Sequence, residues 1–270
     1  MRGKMTKAEL KKHLTALLFL CAASLIRAAD TAKPYESLLS AFGFLKDGNA
    51  GLTSFRSLNI PVGGRSEAMG TAFSAMTDDV SVFEYNPAAS SVLKQTELAL
   101  FHNFWIADSA VDTLIFTRRA NNLGYGGALK SFYIPFTEYN IFGERASTGY
   151  YSETTAAVNI SYNFFAGYTF KGIALGTNLK TSFRSIPDYS DNISGQIIPK
   201  SGLSQSAVAL SADAGMLLRF NMGKFYASRD PNFNIGLTLH NAGFAWTGFG
   251  KNIRADDPLP SYAAAGISYK

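Results

Sequence analysis

The chain has 270 residues and a formal net charge of +5, with 25 lysines and arginines against 20 aspartates and glutamates. Six of these cations and one of these acids lie in the first 29 residues, which leaves 19 of each in the remainder. Because that remainder is neutral, the basic charge gives no support for nucleic-acid binding, and no nucleic-acid partner is expected.

Residues 1–29 have the three parts of a secretory signal peptide. A basic start, Arg2 to Lys12, precedes an apolar stretch, Leu14 to Ile26, and the small residues Ala28 and Ala29 offer a cleavage point. The apolar stretch of about 13 residues is short for a membrane-spanning helix. The sequence therefore predicts export to the cell outer membrane with removal of the leader, and an uncleaved anchor is the alternative.

Residues 30–94 lack the alternation that is typical of strands. Pro34 to Leu45 is predicted to form a short amphipathic helix. Ser66 is predicted to cap a second helix that runs from Glu67 into Met76.

From Gln95 onward, apolar and polar residues alternate with the period of two that is typical of β-strands. The pattern is clearest in the fourth predicted strand, where Val158 and Ile160 alternate with Asn159 and Ser161. Many of the strands reach the length of about ten residues that a tilted strand needs to cross a bilayer. The eight predicted strands are Gln95–Trp105, Ala110–Arg119, Leu123–Phe136, Thr154–Phe165, Phe170–Arg184, Ser206–Arg219, Asn232–Asn241 and Leu259–Tyr269.

Composition and connection lengths favour an antiparallel outer-membrane β-barrel over the alternative, a periplasmic β-sandwich. Aromatic residues make up 13% of the chain and charged residues only 17%, below the usual quarter or so. Short turns at Asn121-Asn122 and Phe165–Gly167 alternate with predicted long loops at Thr137–Glu153, Ile186–Gln205 and Ala242–Pro258. Small residues on the polar face leave room inside a lumen; they are Gly124, Gly126, Ala128, Gly172, Ala174, Gly176, Ala209 and Gly215.

Gly63 to Ala89 reads GGRSEAMGTAFSAMTDDVSVFEYNPAA. This segment resembles the N-terminal signature of the long-chain fatty-acid transporter family (FadL-like), in particular the branch known from spirochaetes. The related, secretion-associated PorV group shares the signature. The residues that carry the resemblance are Arg65, Met69, Gly70, Ala72, Ala75, Asp78, Asp79, Asn86, Pro87 and Ala88.

The resemblance implies a fourteen-stranded barrel in which residues 30–94 form a hatch, or plug, inside the lumen. Pro87 restrains Asn86 to extended geometry, and an asparagine side chain bonds nearby backbone, so this point can hold a defined kink. Since residues 95–270 contain about eight predicted strands, the sequence also predicts an incomplete barrel that is truncated at its C-terminus.

The resemblance further implies passive uptake of long-chain fatty acids or other hydrophobic small molecules. The expected partners are this ligand, outer-membrane lipid and the barrel-assembly machinery. Candidate ligand contacts in the lumen are Phe101, Phe132, Lys180 and Arg184, the two cations because they attract a carboxylate. Pairing of such cations with acids like Asp213 is the alternative, and a structural or secretion-partner barrel without transport is the second function.

The sequence does not match the motifs for catalysis or cofactor binding with which it can be compared. The segment Gly64–Thr71 lacks the lysine of a phosphate-binding loop, and no serine elbow of the G-x-S-x-G type occurs. His102 and His240 have no metal-ligand spacing, and the sole cysteine, Cys21, lies in the leader. We therefore predict no cofactor, no metal and no enzymatic activity, with a Ser-His-Asp site as the remaining enzymatic alternative.

Overall fold

The computed structural model describes residues 52–167, 170–191, 196–224, 230–248, 254–255 and 257–270. The predicted signal peptide and the predicted helix Pro34–Leu45 lie outside the described residues. The described chain is all-β, with one antiparallel sheet and a few helices of four or five residues. No helix in this part of the chain is long and apolar enough to span a bilayer.

Eight long strands follow one another across the sheet in chain order, and all eight predicted strands are confirmed. A two-residue strand, β8, pairs with the end of β7, and β9 pairs along the first half of β7. The bounds are β1 Glu97–Phe104, β2 Ala110–Ala120, β3 Leu123–Tyr139, β4 Arg145–Phe164, β5 Phe170–Ser185, β6 Ala207–Phe220, β7 Phe233–Thr247, β8 Arg254–Ala255 and β9 Tyr262–Tyr269.

The predicted long loop Thr137–Glu153 is wrong, because most of it is strand. Strand β4 begins at Arg145 and pairs with β3 as far as Tyr139, so residues 140–144 alone connect the two strands. The first nine residues of β4 carry no apolar alternation that a pattern search would recognise. They form a strand because β3 supplies hydrogen-bond partners, and their tyrosines and threonines suit a pleated surface.

The apolar face of the sheet is the exposed face. In β4, Val158 and Ile160 are 62% and 56% exposed, whereas Asn159 and Ser161 on the other face are 6% and 3% exposed. This distribution is the reverse of the one expected for a sheet whose apolar face packs on a core. Further large exposed apolar side chains belong to Leu98, Leu100, Leu114, Leu129, Leu175, Leu179, Phe183, Leu237 and Leu239.

Residues 52–94, which we call the N-terminal segment, lie against the polar face of the sheet. The predicted helix from Glu67 into Met76 is shorter than expected, because Gly70 and Thr71 adopt positive φ angles of 60° and 62° that end it. Two short 3-10 helices, η1 Arg56–Asn59 and η2 Pro87–Ser91, flank α1 Gly64–Ala68 and α2 Val82–Tyr85. A third α-helix, α3 Ser201–Gln205, lies in the connection from β5 to β6.

The apolar core lies between the N-terminal segment and the sheet. In the largest cluster, Phe73, Val82 and Leu93 of the segment pack with Ala174 of β5 and Leu217 of β6. All five side chains are at most 1% exposed, so their burial stabilises the contact between segment and sheet.

Candidate functional site

A row of small residues crosses the polar face under η2. Gly124, Ser161, Gly176 and Gly215 are successive register partners on β3, β4, β5 and β6. A Cβ atom on Gly176 would lie 2.6 Å from the carbonyl carbon of Pro87, so glycine is required there for the backbones to approach. The space that the small residues leave on this face is therefore filled, at this row, by the N-terminal segment.

Asn86 connects the segment to β6 and is fully buried. Its Oδ1 accepts a hydrogen bond from the Ala88 amide at 3.1 Å, which caps η2. Its Nδ2 donates to the carbonyl oxygens of Ser74 at 2.6 Å and Met216 at 3.3 Å. The backbone is extended, with φ −154° and ψ 103°, as expected for a residue before proline.

Arg65 and Asp78, two residues of the predicted hatch motif, are brought together as an ion pair at 3.0 Å. The second carboxylate oxygen of Asp78 lies 2.6 Å from the Nζ of Lys270. Partial burial opposes ionisation of Asp78, but hydrogen bonds and charge from Lys270 and Arg65 outweigh it and hold its pKa below the ordinary 3.8.

The remaining motif residues shape turns. Asp79 Oδ1 accepts hydrogen bonds from the Ser81 amide at 2.8 Å and the Ser81 hydroxyl at 2.6 Å just before α2. Met69 ends α1 with its side chain exposed, and Gly70 follows with left-handed backbone. Pro87 and Ala88 are buried against the row of small residues.

Lys180 is buried and pairs with Asp213, the alternative that the sequence left open. Its Nζ lies 2.7 Å from Asp213 Oδ2, and both side chains are at most 3% exposed. The register of β6 on β7 shifts beside Asp213, and Asn241 adopts φ 55° opposite this irregularity. As a result the Asn241 amide donates to Asp213 Oδ1 at 2.8 Å.

A cavity of about 650 Å³ lies between residues 53–60 and the polar face of the sheet. Apolar side chains, among them Phe55, Trp105, Ile106 and Ile134, dominate its wall. Two of the four predicted ligand contacts, Phe132 and Arg184, line it.

The other two predicted contacts lie elsewhere. Phe101 packs against a separate apolar cluster that includes Val62 and Phe83, and Lys180 pairs with Asp213 as described.

The floor of this cavity, residues 53–60, is held by polar groups from three strands. The Ser57 amide donates to Glu153 Oε2 at 3.2 Å, and Lys130 Nζ donates to the Ile60 carbonyl at 2.6 Å. The Arg184 guanidinium lies 5.4 Å from the centre of the Phe55 ring, which is a cation–π contact.

Glu153 is the site residue that sequence reasoning missed. It is 4% exposed and is the register partner of Arg184 across β4 and β5. The predicted strand begins one residue later, at Thr154, which places Glu153 in the predicted loop. Extending the period of two backward from Thr155 would have placed it on the polar face.

Within the described ranges, no group of three or more histidines, cysteines, aspartates or glutamates is arranged to hold a metal ion.

Comparison with known proteins places the chain in a family. Residues 39–257 match the model of a family described as "Uncharacterised protein family (UPF0164)". Three UPF0164 proteins of Treponema pallidum (strain Nichols) are 34%, 31% and 30% identical to the chain over 203, 192 and 199 residues. These alignments cover 72%, 70% and 70% of the chain and 44%, 35% and 53% of the relatives. The chain thus spans between about a third and about half of the length of these relatives.

These matches overturn the resemblance to the long-chain fatty-acid transporter family, which is wrong. Both the family model and the relatives lead to UPF0164. The signature residues explain the error: Asn86 caps η2, Asp79 accepts hydrogen bonds from Ser81 in the turn before α2, and Gly70 ends α1. Such structural roles carry no information about a ligand. Because the family model covers most of the described sheet and segment, the chain belongs to the uncharacterised protein family UPF0164.

Proposed function

We propose that the chain forms wall and plug of an outer-membrane β-barrel through which hydrophobic small molecules, such as long-chain fatty acids, pass passively. The observation that carries this proposal is the inverted sheet, with its apolar face exposed and its polar face covered. Exposed rows of leucine, isoleucine and valine match a surface in contact with lipid, because strands of membrane barrels alternate apolar-out and polar-in. Outer-membrane lipid and the barrel-assembly machinery are the partners that this proposal requires.

Aromatic residues at both ends of the strands support a membrane-spanning band. Phe170, Phe220, Phe233 and Tyr269 are successive register partners on β5, β6, β7 and β9. At the other end of β7, Trp246 stacks edge-on with Phe244.

The spacing of these aromatics fits a bilayer. From residue 233 to residue 246 is 13 steps, or about 43 Å along a strand at ~3.3 Å per residue. A tilt of about 40° reduces that height to roughly 33 Å, close to a bilayer's hydrocarbon thickness.

The covered polar face supports a plug role for the N-terminal segment. Irregular backbone at membrane depth is tolerated only where it is buried in protein or lines water. Asn159, Asn178 and Asn234 of the sheet donate to carbonyl oxygens of Pro87, Phe83 and Ala75.

The cavity supports passage of a ligand. Its volume of about 650 Å³ lies within the range of roughly 300–1,000 Å³ that is usual for small-molecule sites. Apolar walls suit a hydrocarbon chain, and the Arg184 guanidinium at the wall suits an acidic head group.

The test is uptake of radiolabelled oleate by a bacterial host that lacks its own fatty-acid channel. Expression of the full chain should raise uptake, and Ile134→Trp should reduce it severalfold, because Ile134 lines the cavity. Phe136→Trp is the matched control, since it adds an indole one pleat further along β3, outside the cavity wall.

Equal uptake by both variants would show that the ligand does not pass through this cavity. A wild-type chain that inserts into the outer membrane without raising uptake would overturn transport and favour a structural or secretion-partner barrel.

A further inference from the structure

A second cavity, of about 320 Å³, lies between the N-terminal segment and strands β7 and β9. Its wall is more polar than that of the first cavity and includes Glu84, His240 and Tyr262. Asn59 and Ile60 line both cavities. These two residues therefore stand between a large apolar space and a smaller polar one.

Few backbone bonds hold this short stretch. The Ile60 amide donates to Ser57 within η1, and η1 itself begins after Phe55, which adopts left-handed backbone with φ 51°. A stretch outside any strand ladder opens at lower free energy than the strands around it. The position of Asn59 and Ile60 thus depends on side chains from the sheet.

Lys130 supplies the main contact from the sheet. It is 4% exposed, and its Nζ donates to the Ile60 carbonyl at 2.6 Å. Among the described residues no carboxylate lies within ion-pair distance of it, although a buried ammonium normally requires one. Asn241 adds a weaker contact, with its Nδ2 3.5 Å from Asn59 Oδ1.

We propose that Asn59 and Ile60 form a movable partition between the two cavities, and that Lys130 holds this partition closed. The inference rests on the proposed function, since a ligand in the apolar cavity would pass the partition to reach the other cavity. Release of the Ile60 carbonyl from Lys130 joins the two spaces into one path along the polar face.

The first test measures the partition itself, by hydrogen–deuterium exchange of the full chain in detergent micelles. Lys130→Met keeps the length of the side chain but removes the donor, so the amides of residues 57–60 and of Val62 should exchange about tenfold faster or more. Amides of η2 should be unchanged. Lys130→Arg restores a cationic donor and should restore slow exchange, and Lys94→Met controls for loss of a lysine at the surface.

Unchanged exchange at residues 57–60 and at Val62 in Lys130→Met would overturn the partition, whatever the transport result. Faster exchange that extends equally through η2 would also overturn it, because general loosening would then explain the effect.

The second test is oleate uptake. Lys130→Met and Asn59→Ala should each raise the uptake rate, the second by removing the partition's side chain without touching Lys130. A wild-type chain with no uptake would defeat the proposed function alone, because the exchange experiment would still decide whether the partition exists. Uptake by the wild type that neither variant raises would overturn the partition as a barrier on the path.

Discussion

Gly176 and Ala88 approach so closely that a Cβ atom on Gly176 would lie 2.7 Å from the Cα atom of Ala88. Gly176 belongs to β5 and to the row of small residues that crosses the polar face, and Ala88 belongs to η2, which lies against that row. The fit between N-terminal segment and sheet is therefore a backbone-to-backbone contact.

Gly176→Ala should lower the free energy of unfolding by about 1–3 kcal/mol, because the added methyl group meets backbone that has no room to move. Gly127→Ala is the control, since its Cβ would lie at an ordinary 3.4 Å from the Ala157 carbonyl oxygen. Its effect should stay within about 0.5 kcal/mol. Denaturant midpoints of the two variants in detergent measure these changes. Equal losses of stability in Gly176→Ala and Gly127→Ala would contradict the close contact.

Asn86→Ala should cost about 1–3 kcal/mol, because the Ala88 amide and the Ser74 carbonyl lose their partner in the interior. Asn86→Asp should be at least as harmful, since a carboxylate would face the Ser74 and Met216 carbonyl oxygens. Limited proteolysis of the N-terminal segment, together with denaturant midpoints, measures the loss. An Asn86→Asp chain as stable as the wild type would show that the amide donor is unimportant.

Asp213→Asn should destabilise the fold by about 3–5 kcal/mol, because it leaves the Lys180 ammonium buried without a counter-charge. The replacement keeps an oxygen that can accept from the Asn241 amide. Adding Lys180→Met to Asp213→Asn should recover part of the loss, since the ammonium that Asp213→Asn leaves unpaired is then removed. A double variant no more stable than Asp213→Asn would show that the unpaired ammonium is not the cause of the loss.

Ile160→Arg should reduce folding into lipid vesicles, with a cost of about 2–4 kcal/mol if residue 160 lies at mid-membrane depth. Thr148→Arg, on the same face of β4 but 12 residues nearer its start, should have little effect. Both positions are exposed, so a water-soluble sheet would tolerate both arginines equally. The measurement is the yield of membrane-inserted chain for each variant. Equal yields would reject the assignment of this face to lipid.

The ion pairs of Asp78 should make the free energy of unfolding depend on pH in the acidic range. Because the folded chain lowers the pKa of Asp78, its contribution is fully present above the ordinary pKa of 3.8. That contribution is lost as the pH falls through the lower folded-state pKa. The difference in denaturant midpoint between wild type and Asp78→Asn should therefore be present at pH 6 and should shrink below pH 3.8.

The effect of Asp78 should be small and should weaken in high salt, because both cations and the carboxylate are partly exposed. A difference between wild type and Asp78→Asn that persists unchanged to pH 2 would contradict this account.

The existence of the eight strands, and the face of each residue in their alternating parts, could be predicted from the amino-acid sequence alone. A strand's side chains alternate with period two, so Val158 and Ile160 on one face and Asn159 and Ser161 on the other follow from local chemistry alone. The kink at Asn86 was equally local, because the following proline limits the backbone.

Which residues of the polar face line a cavity depends on tertiary contacts. Phe101 and Phe132 are equivalent by pattern, but Val62 of the N-terminal segment covers the first and leaves the second beside open space. Lys180 and Arg184 lie four residues apart on β5, yet the irregularity between β6 and β7 lies beside Asp213, which pairs with Lys180, whereas Arg184 lines the cavity. These outcomes depend on contacts between residues far apart in the chain, and alternation along a strand carries no information about such contacts.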